Sequence, residues 1–228
     1  MLEVFICFGP VASFTASSVL AAIGTAILKN IRSQKELLFA AFPMLFALQQ
    51  FFEGIIWLVI KNGPNETLLR WLTFGYLTFA YSLWPILCPL SVYNIEYDQK
   101  RRKILRRLIL LGVIASCYLL FFVIKNPAHT IALPCSIHYE TFVVGAPLFT
   151  GIYILVTIFP YFISSHRSIL IFGIPNLIFC LVAYFFYRAA FISVWCFFAA
   201  VLSITLYVFL RKLHHQPILP IPLKPYQN

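Results

Sequence analysis

The sequence predicts an all-α, polytopic membrane protein: a bundle of seven transmembrane helices. Of its 228 residues, 61% are hydrophobic and only 11% are charged, whereas soluble domains are about half apolar and a quarter charged. A membrane-spanning helix needs about 20 mostly apolar residues, and seven runs of the chain approach or exceed that length. Within these runs apolar and polar positions do not alternate, which excludes a membrane β-barrel. The composition also excludes a soluble globular or disordered chain.

The seven predicted spans follow one another with short connections. They are Val4–Leu28, Leu37–Ile60, Leu68–Ile95, Ile104–Ile124, Thr141–Ile163, Ser168–Phe186 and Ala190–Leu210. We expect residues 1–212 to form a single transmembrane domain. The remaining residues, 213–228, contain four prolines and are expected to form an extended cytoplasmic tail.

The basic residues predict the orientation in the membrane. Most Lys and Arg residues fall on one side of the predicted spans, and cytoplasmic loops are the ones enriched in these residues. The seven-span pattern therefore places the N-terminus outside and the C-terminus in the cytoplasm. The residues assigned to the cytoplasm are Lys29, Arg32, Lys35, Lys100, Arg101, Arg102, Lys103, Arg106, Arg107, Arg167, Arg211, Lys212 and Lys224.

The densest positive charge lies just before the fourth predicted span. We expect this basic cluster to bind the anionic headgroups of membrane lipids, because each basic side chain near such a surface gains about 1 kcal/mol. The net charge of +10 does not indicate nucleic-acid binding, since the basic residues lie in short groups between apolar runs. The cluster consists of Lys100, Arg101, Arg102, Lys103, Arg106 and Arg107.

Glu53 is the main functional candidate, because an ionisable group inside the hydrocarbon region is costly and usually serves a function. It lies roughly 12 Å below the outer end of the second span, at 1.5 Å per residue. Gln49, Gln50 and Trp57 share its side of the helix by their spacing. This polar face predicts a binding or proton-transfer site, or a polar clasp between helices, since lipid offers no partners.

Counting from the outer helix ends identifies residues at the depth of Glu53. Ser13 on the first span and Cys196 on the seventh are candidate ligand-binding residues at this level. The same layer includes Tyr76, Cys117, Tyr118 and Thr150. Arg188, in the tight turn after the sixth span, could extend toward Glu53 or toward lipid phosphates. Two prolines four residues apart, Pro85 and Pro89, predict a kink in the third span.

Cysteines and histidines provide only a weak metal candidate. Cys135 and His138 are spaced as half of a site in the outer loop Asn126–Glu140, and Cys7 could join them. No histidine lies in the middle of a span, which disfavours a b-type haem. We therefore predict no cofactor.

Several segments resemble a family of small, uncharacterised bacterial multi-pass membrane proteins, a domain of unknown function. They are Cys7-Phe8-Gly9, Ala12-Ser13-Phe14, Leu48-Gln49-Gln50-Phe51-Phe52-Glu53-Gly54, Trp84-Pro85 and Ser193-Val194-Trp195-Cys196-Phe197-Phe198-Ala199. Members of that family often begin with a Met-Cys-Phe-Ser-like stretch, in which Gly9 here replaces the serine. The resemblance implies location in the bacterial cytoplasmic (inner) membrane and implies no activity.

Three function classes remain open at this stage. The leading hypothesis is a small transporter, channel or receptor-like binder with an outward-facing polar pocket centred on Glu53, in which Gln49 and Gln50 bind the ligand and Trp57 forms an apolar wall. The second is an intramembrane enzyme acting on a lipid or quinone, with Glu53 as general acid or base and Cys196 or Cys7 as nucleophile or metal ligand. The third is a non-catalytic membrane scaffold, and a homo-oligomer is possible in each case.

Overall fold

The computed structural model describes residues 8–63, 65–206, 208 and 210, which form a helical bundle with one small β-hairpin. The helices are α1 (Pro10–Lys29), α2 (Leu37–Lys61), α3 (Glu66–Leu77), α4 (Trp84–Ile95), α5 (Gln99–Lys125), α6 (Ala146–Ile163), α7 (Leu170–Phe186) and α8 (Phe191–Ser203). A π-helical segment, Thr78–Leu83, joins α3 to α4. The strands β1 (His129–Ala132) and β2 (Ile137–Glu140) pair antiparallel between α5 and α6.

Among the described residues, six helical segments are long and apolar enough to cross a membrane, so the bundle is consistent with an integral membrane protein. These segments are Pro10–Lys29, Gln34–Lys61, Glu66–Ile95, Gln99–Lys125, Ala146–Ile163 and Arg167–Phe186. They correspond to the first six predicted spans. The seventh predicted span contains α8, whose 13 residues are apolar but shorter than a span. The seven-span count and the orientation stay predictions.

The first two helices form the most closely packed pair of the bundle, because small residues let their backbones approach. A Cβ on Gly24 would lie 2.9 Å from the backbone nitrogen of Met44, and a Cβ on Gly54 would lie 2.8 Å from the Phe14 ring. The buried Ser17 hydroxyl donates to the carbonyl oxygen of Ala47 at 2.8 Å. Such small-residue contacts are typical of helix pairs in membranes.

The third predicted span is irregular, as its prolines indicate, and the irregularity begins before them. Pro85 has no N–H to continue the α-helical bonding, and the preceding turns adopt the wider π-helix. The freed carbonyl oxygens are satisfied by neighbouring helices, because Tyr153 donates to Ala80 O at 2.6 Å and Ser116 donates to Ser82 O at 2.8 Å. A Cβ on Gly112 would lie 2.1 Å from Pro85 O, so α5 can approach here only because residue 112 is glycine.

The two ends of the bundle differ in structure. We call the end that carries the strands the hairpin end, and the opposite end, near Lys100–Arg107, the basic end. The segment Asn126–Glu140, expected to be a loop, contains the hairpin instead. Side chains along a strand point alternately to opposite faces, so Ile137 and Tyr139 lie on the same face of β2. Both are buried against the helices.

Two predicted span boundaries need correction. The fifth span was expected from Thr141, but α6 begins at Ala146, because Gly145 adopts a left-handed conformation with φ 66° and Pro147 occupies the first turn. The first span was expected from Val4, but Gly9 is extended and the described helix begins at Pro10. The predicted tail, residues 213–228, lies outside the described residues.

Candidate functional site

The polar face of α2 lies entirely inside the bundle. Gln49 and Gln50 are 0% exposed, and Glu53 is 1% exposed. Trp57, one turn further along, is also buried and packs in the same apolar cluster as Tyr76, Tyr139 and Cys196. The four residues that the helical spacing placed on one face are therefore all withdrawn from the bundle surface, as an amide or carboxylate requires in an apolar surrounding.

One carboxylate oxygen of Glu53 is held by hydroxyl groups from other elements. The Ser193 hydroxyl of α8 donates to Oε1 at 2.5 Å. The Tyr139 hydroxyl of β2 approaches the same oxygen at 3.5 Å, the limit of a hydrogen bond. Gln50 and Tyr76 also lie within electrostatic range of the carboxylate. Three separate parts of the chain, α3, β2 and α8, thus meet α2 at Glu53.

The Cys196 thiol completes this group of side chains. It lies one turn after Ser193 on α8 and within electrostatic range of Gln49, Glu53 and Tyr76. We use the name Glu53 cluster for the set that these interactions connect. The set consists of Gln49, Gln50, Glu53, Tyr76, Tyr139, Ser193 and Cys196.

Several polar atoms of the Glu53 cluster are buried without a hydrogen-bond partner among the described residues. They are Gln49 Nε2, Gln50 Oε1 and Nε2, Glu53 Oε2 and Tyr76 Oη. Two neighbouring groups share this property, the Trp57 indole nitrogen and the Ser13 hydroxyl. Unpartnered buried polar atoms are rare in native proteins, since each one carries a desolvation penalty of about 1–3 kcal/mol.

The side chain of Gln49 is held in place by Trp84 of α4. The indole nitrogen of Trp84, in the first turn of α4, donates to Gln49 Oε1 at 2.8 Å. The Trp84 ring also stacks on Phe46, with ring centroids 3.9 Å apart. The oxygen of Gln49 is thereby occupied, while its buried amide nitrogen has no hydrogen-bond partner by distance and angle among the described residues and lies near the Cys196 thiol.

The hairpin covers the cluster at one end of the bundle. The Tyr139 ring stacks on the Tyr76 ring with centroids 4.7 Å apart. Thr130 of β1 shares a 2.6 Å hydrogen bond with Thr73 of α3, and His138 of β2 contacts the carbonyl oxygen of Ala189. Burial, followed by the nearby Glu53, raises the pKa of Tyr139 well above its ordinary value of 10.0. Its phenol therefore stays protonated and can only donate to the carboxylate.

A cavity of about 220 Å³ opens at the hairpin end and reaches the Glu53 cluster. Tyr139 and Cys196 belong both to the wall of this cavity and to the cluster, so they separate the cavity from Glu53. Tyr153, Trp195 and Cys196 also line a smaller space of about 30 Å³ deeper in the bundle. Thr150, one of the residues expected at this depth, lines the larger cavity.

The other sequence-predicted candidates are placed as follows. Tyr76 and Cys196 join the Glu53 cluster. Ser13 is fully buried on α1, but no described contact connects it to Glu53. Cys117 is exposed, and the Tyr118 hydroxyl donates to Val144 O instead of entering the bundle. Arg188 lies over the Tyr184 ring, at 5.9 Å, and lines the cavity instead of reaching Glu53.

Sequence reasoning missed three residues that define the site. Ser193 occurs in a segment quoted for the family resemblance, and its position one turn before Cys196 on a helix could have identified it. Trp84 directly precedes Pro85, the proline that predicts the kink, but no sequence pattern indicates its hydrogen bond to Gln49. Tyr139 could not have been found by depth counting, because it belongs to a strand and not to a span.

The weak metal candidate receives no further support. Among the described residues, no three His, Cys, Asp or Glu side chains are grouped as metal ligands. Cys135 and His138 are both half-buried, and His138 Nδ1 is engaged by Ala189 O. Cys7 lies outside the described residues.

Comparison with known proteins identifies the class of the chain. The model of a Family of unknown function (DUF6629) matches residues 6–218. The chain belongs to this family, which confirms the resemblance to an uncharacterised domain family. No curated protein and no solved structure matches it.

Proposed function

We propose that this protein is a small transporter, channel or receptor-like binder that holds an ion or a small polar molecule at the Glu53 cluster. The observation that carries this proposal is the group of unpartnered polar atoms around a buried carboxylate. A polar clasp between helices predicts that such atoms pair with one another. Here the second carboxylate oxygen of Glu53 and the amide atoms of Gln50 have no hydrogen-bond partner among the described residues, which supports a polar ligand as their partner.

The chemistry of the unused atoms defines what the site can hold. Glu53 Oε2 and Gln50 Oε1 are acceptors, while Gln49 Nε2 and the Trp57 indole nitrogen are donors. A cation or an ammonium group would interact with the two oxygens, and Glu53 would supply the compensating charge. The donors can hold a bound water molecule or an acceptor of the ligand. In this proposal Glu53 is the ion- or proton-responsive group, and Gln49 and Gln50 fix the ligand.

Access to the site is through the cavity at the hairpin end. Tyr139 and Cys196 stand between the cavity and Glu53, so a change in the position of the hairpin would connect the two. The Tyr139 hydroxyl lies 3.5 Å from the carboxylate oxygen, so this hydrogen bond is weaker than the 2.5 Å bond from Ser193. The π-helical segment Thr78–Leu83 ends beside this region and is the second element we propose to move, because π-helical turns often accompany functional sites.

A second candidate function is supported by Ser193. Its hydroxyl donates to Glu53 at 2.5 Å, the arrangement of a nucleophile beside a general base. In an intramembrane enzyme acting on a lipid or quinone, Glu53 would accept the proton while Ser193 or Cys196 attacks. We rank this second, because no described histidine belongs to the Glu53 cluster.

The proposal includes the wider setting of the protein. We propose seven spans with the N-terminus outside, and location in the bacterial cytoplasmic membrane. Of the basic cluster, Arg102 donates to the carbonyl oxygens of Tyr93 and Glu96, so it also stabilises the fold. The exposed members bind anionic lipid headgroups in this proposal: Lys100, Arg101, Lys103, Arg106 and Arg107. It includes no cofactor and no nucleic-acid partner, and it allows a homo-oligomer.

The proposal is tested by titrating the purified full-length protein in detergent with NaCl or methylammonium chloride, against choline chloride at equal ionic strength. Trp57, Trp84 and Trp195 surround the site, so tryptophan fluorescence reports binding directly. We expect a saturable fluorescence change and a higher unfolding temperature with at least one of the two small cations. Glu53→Gln should abolish both responses.

Asp98→Asn is the control, because Asp98 lies at the basic end, away from the Glu53 cluster, and asparagine can still accept the hydrogen bond from the Arg101 N–H at the start of α5. It should respond like the wild type. Equal responses in wild type and Glu53→Gln would remove Glu53 from the proposed site. Alkylation by N-ethylmaleimide provides an independent check of access: Cys196, in the cavity wall, should react faster than the equally buried Cys180.

A further inference from the structure

A groove on the outside of the bundle, distinct from the Glu53 cluster, lies between α3 and α5 at the hairpin end. α5 packs chiefly on α4, α6 and the π-helical segment and makes few contacts with α3. The resulting gap has a volume of about 380 Å³ and an apolar lining. Trp71, Phe74 and Leu77 form one wall and Val123 and Ile124 the other. Along α3, from residue 70 to residue 77, the groove is roughly 10 Å long.

A second, more polar groove of about 670 Å³ adjoins it beside the hairpin. The two grooves share Arg70, Pro127 and Ala128, so they form one continuous surface with Arg70 at the junction. Carboxylates from two elements line the polar part: Glu66 begins α3, and Glu140 ends β2, where it is paired with His129 of β1.

We propose that this surface is a binding site for a phospholipid with a phosphoethanolamine headgroup. Its acyl chain occupies the apolar groove between α3 and α5. Its phosphate binds Arg70, whose guanidinium can donate two parallel hydrogen bonds to phosphate oxygens. Its ammonium group, a few bonds from the phosphate, interacts with Glu66 or Glu140. Trp71, which is 69% exposed, lies beside the chain at the level where tryptophans of membrane proteins meet the headgroup region.

The charges of the groove favour this headgroup over the other common ones. One guanidinium between two carboxylates matches a group that carries a negative and a positive charge. A phosphatidylglycerol headgroup, which has no cation, would leave both carboxylates facing a phosphate. A phosphatidylcholine headgroup has the same charges, but its methylated nitrogen cannot donate a hydrogen bond to a carboxylate. The expected order of affinity is therefore phosphatidylethanolamine, then phosphatidylcholine, then phosphatidylglycerol.

The test is native mass spectrometry of the purified full-length protein, released from detergent after incubation with equal amounts of the three lipids. The lipids carry the same palmitoyl and oleoyl chains, so they differ only in the headgroup. We expect about threefold more bound phosphatidylethanolamine than phosphatidylcholine, as suits exposed ion pairs. Arg70→Gln should lower retention of phosphatidylethanolamine about fivefold. The double variant E66Q/E140Q should remove the preference for phosphatidylethanolamine over phosphatidylcholine.

Lys125→Gln is the matched control. Lys125 is an exposed cation at the hairpin end, where it ends α5, and its ammonium group lies over the Phe121 ring and does not line the groove. It should retain lipid like the wild type. Ala128→Trp fills the junction of the grooves and should reduce binding of all three lipids. Equal loss in Arg70→Gln and Lys125→Gln, or wild-type binding without headgroup preference, would overturn the proposal in favour of unspecific surface lipid. Since neither Glu53 nor its partners line the groove, this result does not depend on the function proposed above.

Discussion

Glu53 and Glu96 are the two most deeply buried glutamates among the described residues, and their carboxylates have different hydrogen-bond partners. Glu53 is 1% exposed and Glu96 is 3% exposed. At the hairpin end, Glu53 has one oxygen bound by Ser193 and the other without a partner among the described residues. At the basic end, Glu96 follows α4 and both of its oxygens accept backbone hydrogen bonds.

The partners of Glu96 show what a structural carboxylate looks like in this protein. The backbone N–H groups of Tyr97 and Asp98 donate to Oε1 at 2.9 Å, and that of Ser165 donates to Oε2 at 2.7 Å. Glu96 thereby connects the α4–α5 turn to the turn after α6. Burial raises its pKa, but the hydrogen bonds from Asp98, Ser165 and Tyr97 outweigh burial and leave the pKa below 4.5.

The comparison teaches that burial alone does not identify a functional carboxylate. A fully hydrogen-bonded carboxylate stabilises the fold, whereas a buried oxygen without a hydrogen bond carries a desolvation penalty. Removing a fully hydrogen-bonded carboxylate should lower the free energy of unfolding. Removing a carboxylate that binds a ligand should change the response of the protein to that ligand.

Replacing each glutamate by glutamine should affect stability differently. Glu96→Gln should lower the free energy of unfolding by about 2 kcal/mol, because an NH₂ group replaces an oxygen that accepts a backbone N–H. Glu53→Gln should leave stability unchanged or raise it, because Ser193 can still donate to the amide oxygen and the buried charge is removed. Thermal unfolding in detergent provides the measurement. A larger loss in Glu53→Gln than in Glu96→Gln would reverse the comparison.

Removing the Ser193 hydroxyl should cost less. We expect Ser193→Ala to lower the free energy of unfolding by about 1.5 kcal/mol, because it takes away the one short hydrogen bond of the Glu53 carboxylate. Ser203→Ala, further along the chain, is the control, since Ser203 is equally buried and donates to Ala200 O within its own helical turn. The same unfolding measurement should show a smaller effect in the control, and equal effects would mean that the bond to Glu53 contributes nothing specific.

Low pH should lower the stability of the protein, because it protonates Glu96 at the basic end. Its pKa is lowered in the folded protein, so its contribution is fully present above the unfolded pKa near 4.5 and is lost as the pH falls through the lower folded value. The unfolding temperature of the wild type should therefore decrease below about pH 4.5. Glu96→Gln should show a flatter profile over this range, and an unchanged slope would assign the acid sensitivity to other groups.

The Tyr139 hydroxyl should matter least for stability. Its 3.5 Å contact with Glu53 is too long to be a strong hydrogen bond, and Tyr139→Phe keeps the stacking on Tyr76. We expect a change of less than about 0.5 kcal/mol in the free energy of unfolding. Tyr139→Ala, in contrast, should accelerate alkylation of Cys196, because it opens the wall between the cavity and the cluster. Equal alkylation rates in Tyr139→Ala and wild type would argue against Tyr139 as the barrier.

Sequence reasoning was most successful where a property depends on one helix alone. Gln49, Gln50, Glu53 and Trp57 were placed on one face by the 3.6-residue period, and all four are buried. The irregularity of the third span followed from its prolines, although the π-helical form did not. Depth counting was less selective. Of the residues it suggested, Tyr76 and Cys196 lie near Glu53, whereas Cys117 is exposed and Tyr118 bonds to Val144, because depth says nothing about the direction in which a side chain points.

Hydrophobicity and helical period are local properties, so the apolar helical bundle and the polar face of α2 with its one carboxylate follow from the order of the residues. Which residues meet that face depends on the packing of distant segments. Ser193 and Tyr139 are separated from Glu53 by more than 80 positions, and their approach depends on how helices rotate and tilt against one another and on a hairpin folding over their ends. These features arise from packing among all the elements together, so no single segment encodes them.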